Sequence, residues 1–331
     1  MTGTGTALLE VEDVSVTFGK PGLQRRGRVL RAVDGVSLQI ERGSTLGLVG
    51  ESGSGKSTLG RAVLRLVPVR SGRVRLDGQD VTALRGRALR AARRRMQMVF
   101  QDPYSSLDPS SVIGDSIAEP LLEHEGLSRR DTEARVRELL DVVGLPPGHA
   151  DRYPHEFSGG QRQRVAIARA IALRPSLVVC DEAVSALDVS TQNQVINLLE
   201  DLREQFGLSY LFIAHDLALV RHIAQEVAVM YLGHVVESGP TDRVYEAPAH
   251  PYTKALLSAI PASHPKRAAT GRRTPLAGDL PDPANPPPGC PFVTRCPSAM
   301  DVCREVAPPT VAVEGGGSAA CHLLTAEREP V

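Results

Sequence analysis

Glycines, a lysine and a hydroxyl stand at fixed intervals in GESGSGKST, residues 50–58. The stretch fits G-x-x-x-x-G-K-[ST], with Gly50, Gly55, Lys56 and Ser57 in the required positions. Glycines without a Cβ let backbone N–H groups curl around phosphate oxygens, and a helix N-terminus adds positive potential. Lys56 can then bridge terminal phosphates, the Ser57 hydroxyl can ligate Mg²⁺, and Ser52, Gly53 and Thr58 complete the cradle. Two acids, Asp181 and Glu182, close the apolar run LVVCDE. Gln101 follows the apolar MQMVF, His215 follows SYLFIA, and FSGGQRQR (157–164) sits just ahead of a helical pattern.

The chain must supply elements that aim these groups. Leu46, Leu48 and Val49 read as a buried strand entering the glycine-rich loop, and Leu59, Ala62, Val63 and Leu66 repeat at helical spacing after it. Strand, glycine-rich turn and helix are the context a P-loop needs. Residues 7–18 partly alternate, as an antiparallel strand does, and a Gly- and Arg-rich loop follows. Residues 29–40 read as a strand region interrupted at Asp34-Gly35, and residues 71–81 as two short strands around an Asp-Gly turn. The arginines from 85 to 95 carry no interleaved aromatics and read as a solvated helix face. From about 112 to 172 the spacing is helical, with Ala134, Val136, Leu139, Leu140 and Val143 on one side. An amphipathic helix is predicted from Gln192 to Phe206, and a hairpin over 227–239 turning at Gly233-His234. Prolines at 281, 283, 286, 287, 288 and 291 exclude regular helix or central strand there.

Composition excludes several classes. Lys plus Arg and Asp plus Glu balance at 38 each, so no global charge points to nucleic acid or anionic lipid. No tryptophan and 4% aromatics argue against base-stacking platforms. No apolar run approaches the ~18 residues of a spanning helix, and the N-terminus MTGTGTALLE lacks the pattern of a signal peptide. These features predict a soluble, cytoplasmic chain that meets a membrane only through partners.

The P-loop, Gln101, SGGQ, the Asp181-Glu182 pair, SALD and His215, in this order, resemble the nucleotide-binding subunit of ABC transporters over roughly residues 7–240. The resemblance implies an α/β P-loop NTPase fold, the ABC cassette: a RecA-like core with an antiparallel β subdomain and a helical subdomain at about 102–163. It implies ATP and Mg²⁺ as ligands, with Ser57, Gln101 and Asp181 around the metal. Glu182 is then the general base, His215 the γ-phosphate switch, Asp188 the D-loop acid and Phe18 the adenine-stacking aromatic. Ser158, Gly159, Gly160 and Gln161 match the element that faces ATP on a second subunit, because a helix N-terminus can offer its N–H groups there only across an interface. Phe157 stands where leucine is usual and Ala183 where proline is common; neither removes a catalytic group. A soluble ABC protein of ribosomes or DNA repair is the alternative; those resemble two fused cassettes, or one split by a long coiled coil, and this chain has neither.

Beyond residue 240 the chain resembles the ATPase subunits of oligopeptide, dipeptide and nickel importers, through residues 233–261, GCPFVTRCPSAMDVC and Cys321-His322. The resemblance implies a Cys/Pro-rich C-terminal extension over 241–331, ATP-driven peptide uptake (or nickel, or another small solute), two membrane permeases, a second homologous ATPase in a heterodimer, an external substrate-binding protein, and no nucleic acid. It places the chain at the cytoplasmic face of the membrane. Cys290, Cys296, Cys303 and Cys321 are spaced C-x5-C-x6-C-x17-C, longer gaps than the C-x-x-C pairs of zinc ribbons. Soft thiolates suit zinc or an iron–sulfur cluster. Relatives with a [4Fe–4S] cluster at this pattern favour the cluster, and free buried thiols are the plainer alternative. Cys180, in an apolar run, reads as a core residue.

Overall fold

A computed structural model of the chain describes residues 7–19, 29–102, 107–259, 278 and 281–326. The Gly- and Arg-rich loop predicted after residue 18 falls mostly outside them. Two strands come first, β1 (Ala7–Phe18) and β2 (Leu30–Glu41). In β1 the buried Val14 and Val16 alternate with more exposed neighbours, the pattern of a sheet with one wet face. β2 is not interrupted at Asp34-Gly35: Gly35 takes φ +63° within the strand, and its N–H donates to Ser15 Oγ at 3.0 Å. β3 (Thr45–Val49) is buried throughout and leads through the glycine-rich loop to α1 (Lys56–Val63). Leu59, Ala62 and Val63 face the core as predicted. Leu66 lies past the helix end and is exposed, because Arg65 turns the chain at φ +57°.

β4 (Ser71–Leu76) and β5 (Gln79–Asp80) flank Asp77-Gly78, where φ of +53° and +74° make the two-residue turn. α2 (Gly86–Arg93) exposes its arginines, with only Ala92 buried, and β6 (Met96–Val99) follows. Arg90 and Arg94 pair with Glu123 and Glu125, and Arg95 with Asp77, which accounts for part of the basic run. The helical stretch comprises α3 (Ile113–Glu125), α4 (Arg129–Val142) and α5 (Gly159–Ile171). In α4 the buried face is Thr132, Val136, Leu139 and Leu140. Ala134 is solvent-exposed, two residues off that face.

β7 (Leu177–Asp181), α6 (Val189–Phe206), β8 (Ser209–Ala214), α7 (Leu217–Ile223), β9 (Glu226–Tyr231) and β10 (His234–Pro240) complete the alternation. α6 starts three residues before Gln192, at the cap that Asp188 provides. The β9–β10 loop is Leu232-Gly233, one residue earlier than predicted, with His234 already paired to Tyr231. The remaining elements are α8 (Thr241–Glu246), α9 (Pro251–Ser258), α10 (Val302–Glu305), β11 (Thr310–Ala312), β12 (Ser318–Ala320) and α11 (Leu323–Ala326). No helix or strand occupies the proline-rich residues 281–291, as expected.

The chain divides into two units, one of residues up to Leu9, Gln39–Thr45 and Arg75–Ile213, the other of Glu10–Leu38, Leu46–Val74 and Ala214 onward. In the first, β6, β7 and β8 run parallel, with Val99 opposite Cys180 and Asp181 opposite Ile213. All five residues of β7 are buried, the continuous apolar reading of a parallel strand covered on both faces. In the second, β3 runs parallel to β9, and β9, β10, β12 and β11 continue antiparallel. The C-terminal segment is therefore more than a loop-rich cap: β12 extends a sheet, pairing Ala319 with Glu237.

Candidate functional site

The P-loop belongs to the second unit. Its helix, α1, has Gly55 as N-cap at φ +103°, and no side chain caps it. A Cβ on Gly55 would stand 2.1 Å from the Ala32 carbonyl oxygen, so only glycine fits. Lys56 is almost fully buried, and its ammonium is folded over the loop, donating to the carbonyls of Gly50 (2.8 Å) and Glu51 (2.9 Å). Ser57 and Thr58 are half-buried in the first turn, and Ser52 and Gly53 are exposed at the loop tip. This is an anion-receiving geometry: a helix start without a side-chain cap, with the Lys56 ammonium beside it.

Glu51, a variable position in the motif, is the residue that sequence reasoning passed over. Its N–H donates to the Tyr252 hydroxyl at 2.9 Å. Its carboxylate accepts both guanidinium arms of Arg295, at 2.6 and 3.0 Å. Nothing local in the sequence signals either contact. Phe18, at the exposed end of β1, and His215, exposed just after β8, also lie in this unit.

The carboxylates belong to the first unit. Asp181 is the buried last residue of β7. Glu182 follows at φ +48°, half-buried, with its N–H donating to the Ile213 carbonyl at 3.0 Å. That left-handed backbone is uncommon for a non-glycine residue and ends the strand at the acid itself. Gln101 Nε2 donates to Glu182 Oε2 at 2.9 Å, so the glutamine expected near the metal and the acid expected as general base are in direct contact. Cys180 is fully buried, and burial, then the neighbouring Asp181, push its thiol up to about 12; it is a core residue, as expected.

The SGGQ element forms the start of α5. Ser158 is the N-cap: its hydroxyl accepts from Gln161 N–H at 3.3 Å, and Gln161 Oε1 accepts from Ser158 N–H at 3.0 Å. Gly159 starts the first turn, and a Cβ on Gly160 would come 2.3 Å from Thr191 Cγ2. Thr191 is itself held by Asp188, the α6 N-cap, which accepts its N–H (3.0 Å) and hydroxyl (2.7 Å). Hydrogen bonds from Ser190 and Thr191 hold the Asp188 carboxyl well below the usual range. Phe157 is buried with its ring edge-on to His149, so the departure from leucine is absorbed as packing.

In the extension Cys290, Cys303 and Cys321 are buried and Cys296 is half-buried. Cys290 N–H donates to the Cys303 carbonyl at 2.8 Å. Burial, and then the nearby Cys303, Cys321 and Cys296, push the Cys290 thiol up to about 11, against one N–H that lowers it. The four thiols are thus electrostatic neighbours. Among the described residues, however, no three ligating side chains converge closely enough to hold a single metal ion. No described helix is long and apolar enough to cross a membrane.

Comparison with known proteins agrees with this layout. Residues 33–185 match the family described as ABC transporter, and residues 236–303 the oligopeptide/dipeptide transporter C-terminal region. The oligopeptide transport ATP-binding protein AppF of Bacillus subtilis is 50% identical over 321 residues, covering 96% of this chain and 98% of that protein. OppF of Salmonella typhimurium, also an oligopeptide transport ATP-binding protein, is 51% identical over 91% of this chain and 92% of its own. Among solved structures, the dimeric post-hydrolysis state of the ATP-binding cassette MJ0796, bound to ADP and Pi, superposes with a TM-score of 0.63 at 29% identity. It spans 70% of this chain and 98% of that one. A P-loop, an acid-terminated strand and an SGGQ helix start, in a chain so close to these relatives, make it a member of the ABC transporter family of ATPases.

Proposed function

We propose that this chain is the ATP-hydrolysing subunit of an importer for di- or oligopeptides, working at the cytoplasmic face of a membrane. The observation that carries the reading is half-identity to oligopeptide transport ATP-binding proteins over nearly the whole chain, with each nucleotide-handling motif present in the sequence. Phe18 stacks the adenine, the loop from Gly50 to Thr58 takes the phosphates, and Lys56 exchanges its carbonyl partners for phosphate oxygens. Ser57, Gln101 and Asp181 offer hydroxyl, amide and carboxylate oxygens, the hard donors that Mg²⁺ prefers. When bound, Mg²⁺ neutralises charge on the phosphates. Glu182 takes a proton from the attacking water, oriented by Gln101, and His215 contacts the γ-phosphate.

Ser158, Gly159, Gly160 and Gln161 face ATP on a second, homologous ATPase, with Asp188 at the same seam. Two permeases receive the helical region, and a substrate-binding protein delivers the peptide outside. No nucleic acid takes part. The four-cysteine extension (241–331) is proposed to hold a [4Fe–4S] cluster in preference to zinc. The support for this reading is the C-x5-C-x6-C-x17-C spacing, longer than the paired gaps of zinc ribbons, and soft thiolates that suit such a cluster. Anaerobic protein with iron, sulfide and thiolate-to-iron absorbance supports this; their absence leaves free thiols.

The test of the main reading is a mild-detergent pull-down from native membranes with mass spectrometry. Two multi-spanning permeases and a second ATPase are the expected partners. Ribosomal or DNA-repair partners without any membrane protein would overturn it.

A further inference from the structure

Glu51 is held at three points. Lys56 Nζ donates to its carbonyl at 2.9 Å, the Tyr252 hydroxyl accepts its N–H at 2.9 Å, and Arg295 grips both carboxylate oxygens. The last two partners come from the C-terminal segment, 201 and 244 residues away in sequence. Neither is a surface contact. Tyr252 is fully buried, and the Arg295 side chain is 6% exposed. An Arg–carboxylate pair with two parallel bonds fixes orientation as well as distance. A buried aromatic cluster braces the pair: Tyr231 and Tyr252 lie 4.7 Å apart edge-on, and Phe292 meets them at 5.2 and 5.4 Å. The Arg295 guanidinium lies 5.9 Å from the Tyr231 ring centre.

We infer that the C-terminal extension acts in cis on nucleotide binding, with Arg295 and Tyr252 as positioning residues that set the P-loop backbone through Glu51. Both act on the loop through Glu51. Each fixes the peptide groups beside Gly50, on which Lys56 rests and from which the loop curls. Arg295 is flanked by Cys296 and the buried Phe292. A change in how the cysteine segment packs therefore reaches the P-loop through the Arg295–Glu51 pair and the aromatic cluster beside it. The affinity for ATP becomes a property of the extension as well as of the motif. The inference rests on ATP being the ligand of this loop.

The experiment measures Mg-ATP hydrolysis by the purified full-length chain, giving KM and kcat separately, for Arg295→Gln, Arg295→Lys, Glu51→Gln and the Glu51→Gln/Arg295→Gln pair. Misplacing a binding loop costs affinity where the chemical groups are intact, so Arg295→Gln is expected to raise KM about tenfold with kcat within about twofold. Arg295→Lys is expected to recover part of the loss, and the double variant to lose no more than either single. Thermal melting of each variant separates loosened binding from unfolding. An unchanged KM for Arg295→Gln at intact melting temperature overturns the inference, as does a fall in kcat alone. Lys56→Ala is the control for the underlying reading: if it too leaves KM and turnover unchanged, the loop is not the ATP site, and that reading fails instead.

Discussion

Two glycine-rich helix starts in this chain are built in opposite ways. At α1 the N-cap is a glycine and no side chain caps the turn. At α5 the N-cap is Ser158, and Ser158 and Gln161 satisfy each other's N–H groups reciprocally. The first start leaves the helix N-terminus for an external anion, with the buried Lys56 parked beside it. The second is complete by itself and presents an exposed serine. The difference teaches that glycine at a helix start does not define a phosphate site alone; what caps the first turn decides how ready it is. One start is poised for ligand within its own unit, and the other is stable until something is brought to it.

The comparison breaks hardest at Lys56. Lys56→Ala removes the cation that rests on the carbonyls of the glycine-capped loop, and ATP turnover should fall about 10²–10³-fold in a phosphate-release assay. Ser158→Ala should leave equilibrium nucleotide binding to the isolated chain unchanged. Equal loss of binding in both variants would erase the distinction.

Gly55→Ala tests the backbone instead. Its Cβ would meet the Ala32 carbonyl oxygen at 2.1 Å from a left-handed backbone, and a backbone atom cannot yield by changing rotamer. A destabilisation of about 3 kcal/mol is expected from chemical denaturation. Gly160→Ala meets only the Thr191 methyl, at 2.3 Å. Thr191 can give way at the cost of its bond to Asp188, so about 1 kcal/mol is expected there.

Acid should loosen the first site before the second. His250 caps α9 through Nδ1, which accepts at 3.0 Å the backbone N–H of Tyr252, the residue whose hydroxyl holds Glu51. Burial, and then Lys254, lower the His250 value from 6.5 to about 4. The unfolded chain thus takes up the proton first: stability is fully present above pH 7, declines below about 6.5, and stops declining near 4. The loss is about 1 kcal/mol at pH 5.5. The SGGQ cap is made of neutral groups and has no such dependence. Melting curves of wild type and His250→Asn at pH 7.5 and 5.5 check this; the variant should lose the extra acid sensitivity.

Ser158→Ala carries an effect of similar size, about 1 kcal/mol from the lost cap. Thermal melting reads it directly.

Much of this arrangement was legible in the chain because its signals are local. The P-loop, the buried strand ending at Asp181, the Asp77-Gly78 turn and the SGGQ helix start each lie within about a dozen residues, where spacing alone fixes geometry. Misreadings occurred where partners decide. Ala134 fits the helical count but faces solvent, while Thr132 is buried, because the packing face of α4 is set by its neighbours. The β9–β10 turn falls on Leu232-Gly233 because strand register, not the glycine alone, places it.

By itself the sequence determined the order of the nucleotide-handling motifs and the elements that carry them, since those follow from residue spacing and backbone sterics. It determined which residues have the chemistry for phosphate, magnesium and proton transfer. Only the tertiary structure decided that Gln101 meets Glu182 and that β12 extends the sheet. It also decided that Arg295 and Tyr252 hold Glu51. Those contacts join residues 80 or more positions apart. No local pattern records them, because they depend on where stretches distant in sequence come to rest.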